Sequence, residues 1–105
     1  MTTYTLPSIG PLIATEADAV DIIGETYGTG ADLIVIPVGR LSPDFFKLST
    51  GLAGAVLQKL TNYQFRVAIV GDISAHTDKS APLRDFVRES NARGVIRFLS
   101  SQADL

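Results

Sequence analysis

The chain has 105 residues, 46% of them hydrophobic and 19% charged. That is one domain with a core of its own, and it is too apolar for a disordered chain. Nine Lys and Arg against eleven Asp and Glu give a net charge of −2, leaving no basic surplus for nucleic-acid phosphates. With no Cys, disulfides, thiol catalysis and zinc–thiolate sites are excluded, which suits a reducing, cytoplasmic setting.

Residues 1–10 lack both Lys/Arg and an apolar run, so no signal peptide is expected. No apolar stretch of about 18 residues is present to cross a membrane. Tyr4-Thr5-Leu6 reads as a short edge strand stopped by Pro7, and Pro11–Ala14 as a short buried strand. Thr15 with Asp18 three positions on is a capping-box variant, and Glu16 and Asp18 suit the positive end of the helix dipole. Ala19, Val20, Ile23 and Tyr27 follow at helical spacing, and Gly28 and Gly30 end that helix.

Leu33-Ile34-Val35-Ile36 is apolar throughout, which predicts a central strand covered on both faces. Ser42-Pro43-Asp44 is a helix-start signature, opening a short turn over residues 43–47. Leu52, Ala53, Val56, Leu57 and Leu60 form the stripe of a helix over residues 51–62, and one kinked helix is the alternative. Phe65–Gly71 is a further strand. Residues 72–81 read as a polar loop, and a helix follows with Leu83, Phe86 and Val87 inward. Gly94 stops that helix before a last strand, Val95–Leu99, and residues 101–105 begin a small helix or fray. Strands alternating with helices predict one α/β domain: a mainly parallel sheet of four or five strands with helices packed on it. Leu33, Val35, Val67, Ile69, Ile96 and Phe98 are the expected strand core, with Val56, Leu57 and Phe86 packed on them.

Ligands of open α/β sheets bind beyond the carboxyl ends of the strands. Arg40, Asp44, Asp72 and Arg84 fall near that rim and could together hold a small polar or anionic ligand; turn capping and surface ion pairing are the plainer roles. His76 sits in a polar run, Ser74–Ser80, of the kind found in exposed loops, which argues against a general base. One His, no Cys and no carboxylates at ligand spacing give no metal site. Gly28-Thr29-Gly30 follows a helix and Gly51-Leu52-Ala53-Gly54 lacks a Lys, so neither is a nucleotide loop. No catalytic set and no cofactor is expected.

The segment Leu48-Ser49-Thr50-Gly51-Leu52-Ala53-Gly54 resembles the Asp-Ser-Ser-Gly-Leu-type segment of STAS domains, the anti-sigma factor antagonists and their relatives. Gly94–Ser101 resembles that family's last strand and exit. The resemblance implies a STAS-like fold, action through protein–protein contact, and a regulatory phosphorylation site at Thr50, with Ser49 beside it. Leu48 stands where the family has an acid, and residues 43–47 are an insertion. A closer likeness, over most of the chain, is to small bacterial proteins known only as a domain of unknown function. It rests on Leu41-Ser42-Pro43-Asp44-Phe45-Phe46, Ala68-Ile69-Val70-Gly71-Asp72 and Arg84-Asp85-Phe86, and implies no activity. A hydroxyl at residue 49 or 50 also serves simply as a helix cap.

Three readings follow: a regulatory protein-binding domain, a small-ligand domain using the rim, and a homodimer. Phe45, Phe46, Leu48 and Leu52 lie close together in a chain of low charge, which predicts an apolar patch and a homodimer interface there. The rival account is that both rings cap the monomer's own core.

Overall fold

A computed structural model describes residues 2–105. Four strands, β1 (Thr3–Thr5), β2 (Leu33–Pro37), β3 (Arg66–Val70) and β4 (Ile96–Leu99), form one sheet in the order β1-β2-β3-β4, parallel at every pairing. The helices are α1 (Glu16–Tyr27), α2 (Leu52–Asn62), the four-residue α3 (Ser74–Thr77) and α4 (Ala81–Arg93). The architecture is therefore the α/β class read from the sequence, with four strands.

Local chemistry sets most of the boundaries. Thr15 and Asp18 form the capping box: Asp18 N–H donates to the Thr15 hydroxyl at 3.3 Å, and the Asp18 carboxylate accepts from the N–H groups of Ala14 at 2.8 Å and Thr15 at 3.0 Å. Ser42 caps a 3-10 turn over Pro43–Phe46, a second such turn spans Leu48–Thr50, and Gly51 at φ +75° reverses the chain into α2. This is the short turn followed by a separate helix, not one kinked helix. At α1 the left-handed position is Gly30, while Gly28 keeps a right-handed backbone.

Each strand pairs with its neighbour in sequence, and right-handed crossovers then place every connecting helix on the same face. Burial agrees. The register aligns Tyr4 with Ile34, Ile34 with Val67, Ile36 with Ile69, and Ile69 with Phe98. Ile34, Ile36, Val67, Ile69 and Phe98 share one core with Ile22 and Ile23 of α1, Val56 and Leu60 of α2, and Leu83 of α4. Leu33, Val35, Pro37, Ala68, Val70 and Leu99 point the other way. Val35 and Ala68 are buried yet lie outside that core, and the other four are half-buried.

Several expectations are corrected. β2 is covered by helices on one face only; Val35 is buried without a second helical layer. Leu33, Ile96 and Phe86 are half-buried rather than buried. Pro11–Ala14 is not a strand: a single bridge pairs Ile13 with Leu41, because Pro11 has no N–H to give a ladder and Thr15 already opens α1. The C-terminal 3-10 turn, Gln102–Asp104, lies on the helix-free face. Arg97 donates to the Asp104 carbonyl at 3.2 Å, and Gln102 reaches the Thr5 hydroxyl at 3.5 Å.

Candidate functional site

The carboxyl ends of β2 and β3 run into the connections over residues 38–51 and 71–80. Between these lies a cleft of about 560 Å³. It is lined by Lys47, Leu48 and Ser49 from the first connection, by Ala75, His76 and Lys79 from the second, and by Pro82 at the start of α4. The cleft is fixed by an aromatic stack: the His76 imidazole lies over the Phe46 ring with centroids 4.2 Å apart and planes 11° from parallel. Phe46 in turn meets Phe45 edge-on at 5.3 Å.

His76 is thus not a residue of a polar, solvated loop. It is half-buried on α3, which the Asp72 carboxylate starts by accepting from Ser74 N–H at 2.9 Å. That backbone hydrogen bond favours the charged form and holds Asp72 below the ordinary carboxylate range.

The rim residues read from the sequence do not converge. The Arg40 guanidinium turns back on the β1–α1 connection and donates to the carbonyls of Pro11 (Nε, 2.9 Å) and Pro7 (Nη1, 2.9 Å), packing against Gly10. Arg84 donates to the Thr77 carbonyl at 2.7 Å and ties α4 to the end of α3. Asp44 is exposed, and its carbonyl closes the turn below Thr50. Asp72 lines a shallow groove with Ile73, Ser74, Val87 and Phe98, which none of the other three shares. No hydrogen bond or ion pair joins any two of the four among the described residues.

The two hydroxyls of the STAS-like segment differ. Thr50 Oγ1 donates to the carbonyls of Asp44 and Lys47, both at 2.8 Å, and accepts from Leu52 N–H at 3.2 Å. It splices the two 3-10 turns to α2. Ser49 is exposed on the cleft wall.

Phe45 and Phe46 are 1% and 4% exposed and belong to the chain's own core, with Leu48 and Leu52 half-buried against it. The two rings expected at a dimer interface are therefore inside the monomer, while Leu48 and Leu52 keep part of their surface. The sequence reading missed the lysines: Lys47 and Lys79 are exposed, and neither forms an ion pair among the described residues. It also missed a second cleft, of about 370 Å³, where α4 and α2 part over Leu57, Phe86 and Ile96. That cleft lies toward the amino end of β4.

Fold and cleft together define a two-layer parallel α/β domain open at the carboxyl ends of its central strands. By its sequence the chain belongs to the DUF4180 family, a domain of unknown function, whose model matches residues 1–105. No curated protein and no solved structure gives a match.

Proposed function

We propose that this protein is a non-enzymatic, STAS-like regulatory domain of the bacterial cytoplasm that acts through protein–protein contact, and that it binds its partner with the helix-free face of the sheet. One observation carries the reading: an all-parallel sheet with helices on one face only. Parallel sheets are built almost solely in proteins that cover both faces. Here Leu33, Pro37, Val70 and Leu99 stay half-exposed, with Arg66 and Arg97 beside them. The four strands, of 3 to 5 residues, span roughly 300 Å² on this face, and the exposed part is smaller because Val35 and Ala68 are buried and the C-terminal turn lies over it. A stable interface takes about 800 Å² per partner, so this face receives part of a larger protein contact.

The STAS-like kinship is supported by the succession of strand–helix units and by the segment that opens α2. Of its two hydroxyls, Ser49 is the better regulatory position, because Thr50's is committed to two carbonyls. A homodimer through Phe45 and Phe46 is not part of this proposal.

The test is site-specific photo-crosslinking in living cells. A photoreactive residue at Leu33 is expected to give a discrete protein adduct, and one at Asp21, exposed on α1, none. No adduct at Leu33, or the same adduct at both positions, would sink the proposal.

A further inference from the structure

We infer that the cleft between the 3-10 turns and α3 binds a small organic phosphate monoester. The inference does not rest on the protein-binding reading, whose contact surface is the helix-free face; the two share only Ser49.

The protein is net acidic, yet this cleft is lined by Lys47, Lys79 and His76 and by no carboxylate. The ion pairs among the described residues are Lys59–Glu16 and Arg88–Asp85, both elsewhere, so the two cleft lysines are not neutralised within the chain. Two lysines lining one cleft match the charge of about −1.5 to −2 that a phosphate monoester carries near neutral pH. The Ser49 hydroxyl and an imidazole N–H add further donors, and a phosphoryl group offers acceptors for all of them.

Shape supplies the second half. A volume of about 560 Å³ falls in the range of small-molecule sites and far exceeds what one phosphate fills. The remainder is bounded by Leu48, Ala75 and Pro82 and by an imidazole held flat against Phe46. Phe46 is almost wholly buried, and the His76 ring stacked on it presents a flat surface in the same cleft as the lysines. An ester with a flat or apolar organic group satisfies both parts, whereas free phosphate uses only the charges. The site also sits where open parallel sheets bind ligands, beyond the carboxyl ends of neighbouring strands.

The experiment is calorimetric titration of the full chain with phenyl phosphate, inorganic phosphate and phenol, for wild type and Lys47→Gln/Lys79→Gln. Both lysines are exposed, so the variant is expected to fold, and its melting curve checks this. Phenyl phosphate is expected to bind more tightly than inorganic phosphate, and phenol not to bind. Each lysine removed should weaken binding about five-fold, so the pair about 25-fold. Nitrogen–proton correlation spectra of wild type should show the shifts at residues 46–49 and 75–80. No binding of phenyl phosphate at about 10 mM, or equal affinity in the double variant, would overturn the inference. Equal affinity for inorganic phosphate would overturn the assignment to an organic ester. Shifts confined to other residues would do the same for the site.

Discussion

His76→Ala separates the stacked arrangement from an exposed-loop one. In a solvated loop the change would move stability by no more than about 0.5 kcal/mol. Here it uncovers one face of Phe46, a ring only 4% exposed. One face is about a quarter of what a Phe buries, roughly 50 Å², or about 1 kcal/mol of lost burial. The lost ring–ring contact adds about 0.5 kcal/mol, the low end for aromatic pairs because His76 is itself part-exposed. The sum, about 1.5 kcal/mol, corresponds to a fall in Tm of roughly 6 °C for a domain of this size. Urea unfolding should show a lower midpoint with an unchanged slope. A cycle with Phe46→Leu should give a coupling of about 0.5 kcal/mol or more, since the two side chains touch. A loss below about 0.5 kcal/mol together with zero coupling would refute the stack and return His76 to solvent.

Other expectations are checked by the same unfolding assay. Gly71→Ala should cost about 1–3 kcal/mol, since φ is +140° and an added Cβ meets Val38 Cβ and Cγ2 at 2.9 Å. Gly54→Ala, in α2 with open space around it, should instead stabilise by about 0.5–1 kcal/mol. Ile69→Ala, at the centre of the helix-facing core, should cost roughly 2–5 kcal/mol. The N–H groups of Ala14 and then Thr15 hold the Asp18 carboxyl below its ordinary range. The stability this adds is therefore present above about pH 4 and lost as the pH falls through the lowered value. Asp18→Ala should narrow the difference between midpoints at pH 7 and pH 3.

Element order was readable because it rests on local chemistry. Thr15 with Asp18, and Ser42 before Pro43, announce their turns through side chains that reach the nearest backbone N–H groups. What covers a strand is not local. Val35 is as buried as Ile34, so an apolar run reads alike whether one layer of helices packs on it or two. The cleft was hidden for the same reason. Phe46 and His76 are 30 positions apart, and only the parallel pairing of β2 with β3 brings their loops together. Arg40 and Arg84 looked like ligand holders because a guanidinium's preference for a neighbouring carbonyl leaves no pattern in the sequence.

The strand order β1-β2-β3-β4 also governs how the molecule comes apart. No strand has to be threaded between two that are already paired, so the chain is a short stack with two ends, closer to a solenoid than to a closed barrel. β2 and β3 each have partners on both sides, whereas β1 has three residues and one neighbour. Amide exchange should therefore run inward from β1, with the β2–α2–β3 unit opening last. The other end, β4, keeps an edge without a strand partner, along which another strand–helix unit could be appended without rethreading what is already there.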